Sequence, residues 1–81
     1  MPTVYLLHCA DGTLYCGWTV DVERRLAAHN AGRGSRYTRG RLPVELAWSQ
    51  AHPDRTAAMR EEMRIKRLPR TAKLALIAAR E

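Results

Sequence analysis

Two β-prone runs divided by a short turn segment constrain this chain more than any other feature. Thr3 to Cys9 reads TVYLLHC and Leu14 to Thr19 reads LYCGWT, with Ala10-Asp11-Gly12-Thr13 between them. Both runs are rich in β-branched, aromatic and aliphatic residues, and the segment between carries turn chemistry, so the pair reads as a β-hairpin. Loop length decides which side chains share a face, because a one-residue slip moves every side chain of a strand to the other side. A two-residue Asp11-Gly12 loop puts Tyr5 and Tyr15 on opposite faces, whereas a three-residue Ala10-Asp11-Gly12 loop puts both on one. The second is expected, since Gly12 supplies the left-handed residue it needs. It also sets Tyr15 beside Leu7. Either tyrosine can equally be ordinary core with its hydroxyl at the surface.

A lone hairpin is marginal in water, so a third strand is needed. Pro43 to Ser49 reads PVELAWS, with Val44, Leu46 and Trp48 at period two, and is the candidate. Asp21 can cap a helix from Val22 to about Ala31, stopped by Asn30, Ala31 and Gly32. Gly32 to Arg41 follows as a polar loop in which Ser35 to Arg39 has room for one helical turn. Asp54 caps a helix from Arg55 to about Leu68, Pro69 interrupts it, and Thr71 to Ala79 makes a last amphipathic helix. The order ββαβαα predicts an α+β fold, a small three-stranded antiparallel sheet flanked by helices. At this length, 1–81 is one domain.

Fourteen Lys and Arg against eight Asp and Glu give a net charge of +6 and a field that favours an anionic partner such as nucleic acid. Twelve of the fourteen cations are Arg, whose planar fork donates two hydrogen bonds to one phosphate, although a genomic bias towards Arg and Ala gives the same composition. No run approaches the roughly 20 apolar residues of a membrane span, and Met1 to Ala10 lacks the layout of a signal peptide. A cytoplasmic protein is expected. Cys9 and Cys16 are too few for a disulfide framework and read as reduced core thiols, and His8, His29 and His52 have no zinc spacing with them.

Helical projection puts charges where apolar side chains belong. With Ala58 at zero, Ile65 falls at about −20°, Met59 at about 100° and Met63 at about 140°, while Glu62 and Lys66 fall between, at about 40° and 80°. Arg60, Glu61, Arg64 and Arg67 take the other side. Desolvating an unpaired charge costs several kcal/mol, so something must compensate. One solution is a Glu62–Lys66 pair at the edge of the core; the other is a metal-binding carboxylate at the floor of a cleft. On the first helix, Arg25 and His29 share or border the inward stripe four residues apart. Either they reach together for a phosphate, or Arg25 snorkels outward and His29 is a satisfied core imidazole.

With these residues in order, the chain resembles the GIY-YIG nucleases, a family that includes homing endonucleases, the excision-repair incision subunit and small stand-alone bacterial proteins. Thr3-Val4-Tyr5 stands where GIY is usual, Tyr15-Cys16-Gly17 matches the second tripeptide, Arg25 and His29 follow at the family's helix spacing, and Glu62 with Ile65-Lys66 matches a later Glu-x-x-Ile-Lys pattern. Tyr37-Thr38-Arg39-Gly40-Arg41 before Pro43-Val44 looks most like the stand-alone branch. The resemblance implies Tyr5, Tyr15, Arg25 and His29 as catalytic residues and Glu62 as the holder of one Mg²⁺ or Mn²⁺. It also implies DNA as the partner, without a small-molecule cofactor, and leaves room for a separate targeting protein. Arg36, Tyr37, Arg39 and Arg41 would contact nucleic acid unless the loop is merely solvated. Lys66 would support Glu62 or touch phosphate, and Gly17 would let substrate come close to the backbone. Thr3 for the first Gly and Cys16 for Ile are the departures, and neither removes a functional group. A DNA repair endonuclease, a nucleic-acid module that binds without cutting, and an interaction subunit all share this expected fold.

Overall fold

The computed structural model describes residues 1–80; position 81 lies outside the described residues. Strands β1 (Thr3–His8), β2 (Leu14–Thr19) and β3 (Glu45–Ala51) form an antiparallel sheet in the order β2-β1-β3. Helices α1 (Val22–Asn30), α2 (Arg36–Arg39), α3 (Arg55–Lys66) and α4 (Arg70–Ala78) surround it. The α+β class, the three strands and the element order are those expected; α2 is the single helical turn in the loop, capped by the Ser35 side chain on the Thr38 N–H. None of these helices is long and apolar enough to cross a membrane.

The hairpin closes through the three-residue loop. Cys9 N–H donates to Thr13 O at 2.9 Å, Gly12 N–H donates to Cys9 O at 3.0 Å, and Gly12 has φ 85°. Tyr5 therefore pairs with Gly17 and Leu7 with Tyr15, and both tyrosines point to one side. Asp21 and Asp54 cap α1 and α3 on the Arg24 and Ala57 N–H groups. Past α1, Gly32 takes φ 81° and donates to His29 O while Arg33 donates to Ala28 O, which satisfies carbonyls left over at the helix end.

Because side chains alternate along a strand, central β1 feeds two separate cores. Val4 and Leu6 join Cys16, Trp48, Ala58, Ile65 and Ile77 under α3 and α4. Tyr5, Leu7 and Cys9 join Val44, with Tyr15, Leu26 and Leu42 packed against them, under α1. Both cysteines are free and buried.

Two expectations fail in the packing. Val44, Leu46 and Trp48 do not share a face: Leu6 pairs with Trp48 but Leu7 with Leu46, so a bulge at Ala47 sends Val44 to one core and Trp48 to the other, leaving Leu46 exposed. The inward line of α3 is also turned from its expected phase. Ala58 and Ile65 are buried as expected, but Met59 and Met63 are 49% and 52% exposed, whereas Glu61 is half-buried and paired with Arg64. The stripe centres near Ile65 because Leu68, just past α3, also packs inward. Lys66 consequently lies outside the stripe, and Glu62 lies on its border.

Candidate active site

The site is built on the α1 side of the sheet. Tyr5 and Tyr15 rings sit 6.4 Å apart between centroids, and the His29 ring meets their edges at 6.0 and 5.2 Å. Gly17 makes this possible. A Cβ there would come within 2.6 Å of the Tyr5 hydroxyl oxygen and 2.8 Å of the ring carbon bearing it. The space over Gly17 thus belongs to the Tyr5 phenol rather than to substrate, which corrects the role expected of this glycine.

A buried chain of hydrogen bonds runs away from Tyr5. Its hydroxyl lies 3.0 Å from His29 Nε2, His29 Nδ1 lies 2.8 Å from Thr38 Oγ1, and Thr38 Oγ1 lies 3.4 Å from Ser35 O. One direction satisfies all the groups: Tyr5 O–H donates to His29 Nε2, His29 Nδ1–H donates to Thr38 Oγ1, and the Thr38 hydroxyl donates to Ser35, whose hydroxyl oxygen lies 3.0 Å and carbonyl oxygen 3.4 Å away. In reverse, the Tyr5 proton has no acceptor, since nearby Arg25 only donates. Gly34 closes the chain, because a Cβ there would fall 2.0 Å from His29 Nδ1.

Burial sets the protonation states. It pushes the Tyr5 phenol up to about 12, with Tyr15 adding to the effect and Arg25 opposing it. Burial, then the Arg25 charge, lowers the His29 imidazole from its usual range, so it rests neutral. Of the two roles open to His29, the structure gives the satisfied core imidazole: it is fully buried with both nitrogens engaged. Arg25 remains exposed at the rim, and Tyr15 is only half-buried.

Glu62 approaches from the other face. Its backbone carbonyl lies 3.9 Å from Cys16 Sγ, and burial followed by the Glu62 charge pushes the Cys16 thiol up to about 11. Cys16 sits between Tyr15 and Gly17 on β2, an outer strand of the sheet, so helices on both faces can flank its free edge. The Glu62 side chain is 16% exposed, and one carboxylate oxygen pairs with Lys66 Nζ at 3.6 Å. This is the Glu62–Lys66 pair at the edge of the core, and Lys66 is otherwise exposed. Among the described residues no three His, Cys, Asp or Glu side chains gather into a metal cluster. A single half-buried carboxylate fits Mg²⁺ or Mn²⁺, which retain several waters and take few protein ligands beside substrate phosphate.

The loop residues divide. Arg36 and Arg39 are exposed on α2. Tyr37 stacks on Tyr15 at 5.7 Å, and the Arg41 guanidinium covers it at 4.0 Å. Arg41 is not a free nucleic-acid contact as expected: its Nε donates to Asp11 Oδ2 at 2.9 Å and its Nη1 to Tyr37 O at 2.7 Å, tying α2 to the hairpin loop. The sequence reading missed Thr38, Ser35 and Gly34 as supports of His29; Ser35 three residues before Thr38 was the available cap signal.

The fold and these residues define a nuclease-type domain, and residues 1–75 match the family described as the GIY-YIG catalytic domain, so the chain belongs to that family. It is 59% identical over 75 residues to a UPF0213 protein of Nitratidesulfovibrio vulgaris, spanning 93% of this chain and 68% of that one. It is 53% identical over 76 residues to a UPF0213 protein of Halobacterium salinarum, spanning 94% and 99%. The solution structure of a UPF0213 protein from Bacillus halodurans superposes with a TM-score of 0.63 at 44% identity, covering 98% of this chain and 85% of that one.

Proposed function

We propose that this chain is a divalent-metal-dependent endonuclease that hydrolyses DNA phosphodiester bonds with weak or structure-dependent sequence selectivity. The observation that carries the reading is the meeting of the Tyr5, Tyr15 and His29 rings, with Gly17 making room for the Tyr5 phenol, Arg25 at the rim and the Glu62 backbone carbonyl touching Cys16 of the same strand from α3.

In this reading Glu62 holds Mg²⁺ or Mn²⁺, which when bound neutralises charge on the scissile phosphate and leaving oxygen. Arg25 binds a phosphate oxygen and stabilises the charge that builds there in the transition state. Tyr15, the less buried of the two phenols, orients the attacking water through its hydroxyl oxygen, and it takes a proton from that water only as the phenolate, its own proton having first passed to solvent. Tyr5 and His29 are too buried to touch DNA, and with Thr38 they hold the Tyr15 ring in place. The exposed Arg36 and Arg39 contact backbone phosphates, which position the duplex without reading its sequence.

A nucleic-acid module that does not cut is the competing reading, favoured by the ion pair that already occupies Glu62. Incubating the protein with branched, nicked and linear DNA, with and without Mg²⁺ or Mn²⁺ and beside Glu62→Ala, separates them. Metal-dependent cleavage that disappears in Glu62→Ala is expected. Binding to every substrate with cleavage of none supports the competing reading, and cleavage equal in the variant removes Glu62 from the mechanism.

A further inference from the structure

A second cationic feature lies beyond the tyrosines. Where β2 runs into α1, Trp18, Thr19, Val20, Arg25 and Arg55 line an open hollow of about 400 Å³. A smaller one of about 240 Å³ beside it adds Asp21, Arg24 and Ala28. Arg25 comes from the helix on one face of the sheet and Arg55 from the first turn of the helix on the other. Neither forms an ion pair among the described residues. The two capping acids nearby accept backbone N–H groups, Asp21 from Arg24 at 3.0 Å and Asp54 from Ala57 at 2.8 Å, and neither pairs with a guanidinium among the described residues.

Two guanidinium groups facing one hollow with no carboxylate between them repel each other, and an anion relieves that repulsion. The fork of each suits the paired oxygens of a phosphodiester, and Trp18 with Val20 supplies an apolar wall for a sugar. Helical position ties Arg55 to the proposed cutting site. On α3 it projects within about 20° of Glu62, two turns earlier, so a strand passing Glu62 along that side of the helix meets Arg55 next.

We infer that this hollow seats a backbone phosphate neighbouring the scissile one on the same nucleic-acid strand, with Arg55 as its principal ligand and Arg25 shared between the two phosphates. The inference rests on the reading of Tyr15, Arg25 and Glu62 as the cutting site. Arg55 binds and positions; it takes no part in the bond-breaking step.

The test measures duplex binding by fluorescence anisotropy over a range of NaCl concentrations with no divalent metal present, so it does not depend on cleavage. Arg55→Gln and Arg55→Lys are compared with Arg80→Gln, which removes the same charge as the first variant from above Trp48 of β3, at the other edge of the sheet. One phosphate contact fewer on B-form DNA lowers the slope of log K against log salt by about 0.9. That drop is expected for Arg55→Gln, with Arg55→Lys keeping most of the slope and Arg80→Gln keeping all of it. With metal, Arg55→Gln should raise KM and leave kcat within about twofold, the signature of lost uniform binding. Slope and affinity in Arg55→Gln equal to those of Arg80→Gln overturn the inference, whether or not the wild-type protein cuts. A wild-type protein that never cuts, with the slope difference intact, removes the cutting site and keeps the phosphate seat.

Discussion

The two faces of the sheet share one central strand and use it differently. Under α3 and α4 the buried side chains are apolar apart from the Cys16 thiol, and they hold the fold by area removed from water. Under α1 the same depth of burial holds a phenol, an imidazole and a hydroxyl joined end to end, with Gly17 and Gly34 cleared to admit them. A buried polar group costs free energy unless it is paired, so the second face gains stability only when the whole chain is complete. The contrast separates a face held by apolar area and close packing from one held by a chain of partners, in which a single missing atom strands its neighbours.

The largest expected effect breaks the first face. Ile65→Ala should cost about 2–5 kcal/mol in urea unfolding, while kcat for the protein that remains folded is preserved. Next comes the rim of the second face, where the ranking reverses. Arg25→Ala should lower kcat by about 10²–10³-fold, or about 2.7–4 kcal/mol, with the urea midpoint barely moved. Equal effects on folding and cleavage in both variants would erase the distinction between the faces.

A smaller effect sharpens it. Thr38→Val keeps the shape but leaves His29 Nδ1 without a partner and should cost about 1–3 kcal/mol of stability, whereas Thr38→Ser restores the bond and most of the loss. If Val and Ser behave alike, the hydroxyl is not what matters. The smallest effect concerns pH. Above about pH 6.5 both folded and unfolded chains carry a neutral His29; below it the unfolded chain takes up a proton that the buried ring resists. Stability should therefore fall as pH drops below about 6.5, by at most about 1.4 kcal/mol per unit, until the lowered folded-state pKa is passed. Urea unfolding between pH 7 and 5.5 reads this slope, and His29→Gln should flatten it.

The hairpin side of the molecule was legible from sequence because local chemistry decides it. Gly12 fixed the loop, the loop fixed parity, and parity put Tyr5 and Tyr15 on one face; the Asp21 cap and a period near 3.6 then turned His29 inward. The failures lie where distant contacts decide. Nothing local marks Ala47 as the bulge, since Val44, Leu46 and Trp48 alternate as a regular strand would. The phase of α3 was misjudged because Met59 and Met63 looked like core, yet this helix faces the sheet along Ala58, Ile65 and Leu68. Thr38 looked like loop, and only the folded chain brings it to a histidine nine residues earlier.

One joint has an implication for how substrate choice could arise. The Asn30 side chain donates to Val44 O at 3.0 Å and accepts from Val44 N–H at 2.8 Å, so the end of α1 is stitched to the start of β3 as if by a borrowed peptide group. Residues 31–43 thereby leave and return through a fixed base. Doubling the length of such an excursion costs only about 0.6 kcal/mol of closure entropy. Extra reading residues can therefore be accommodated near Gly40, where nothing crowds the backbone, without shifting the floor beneath Tyr15.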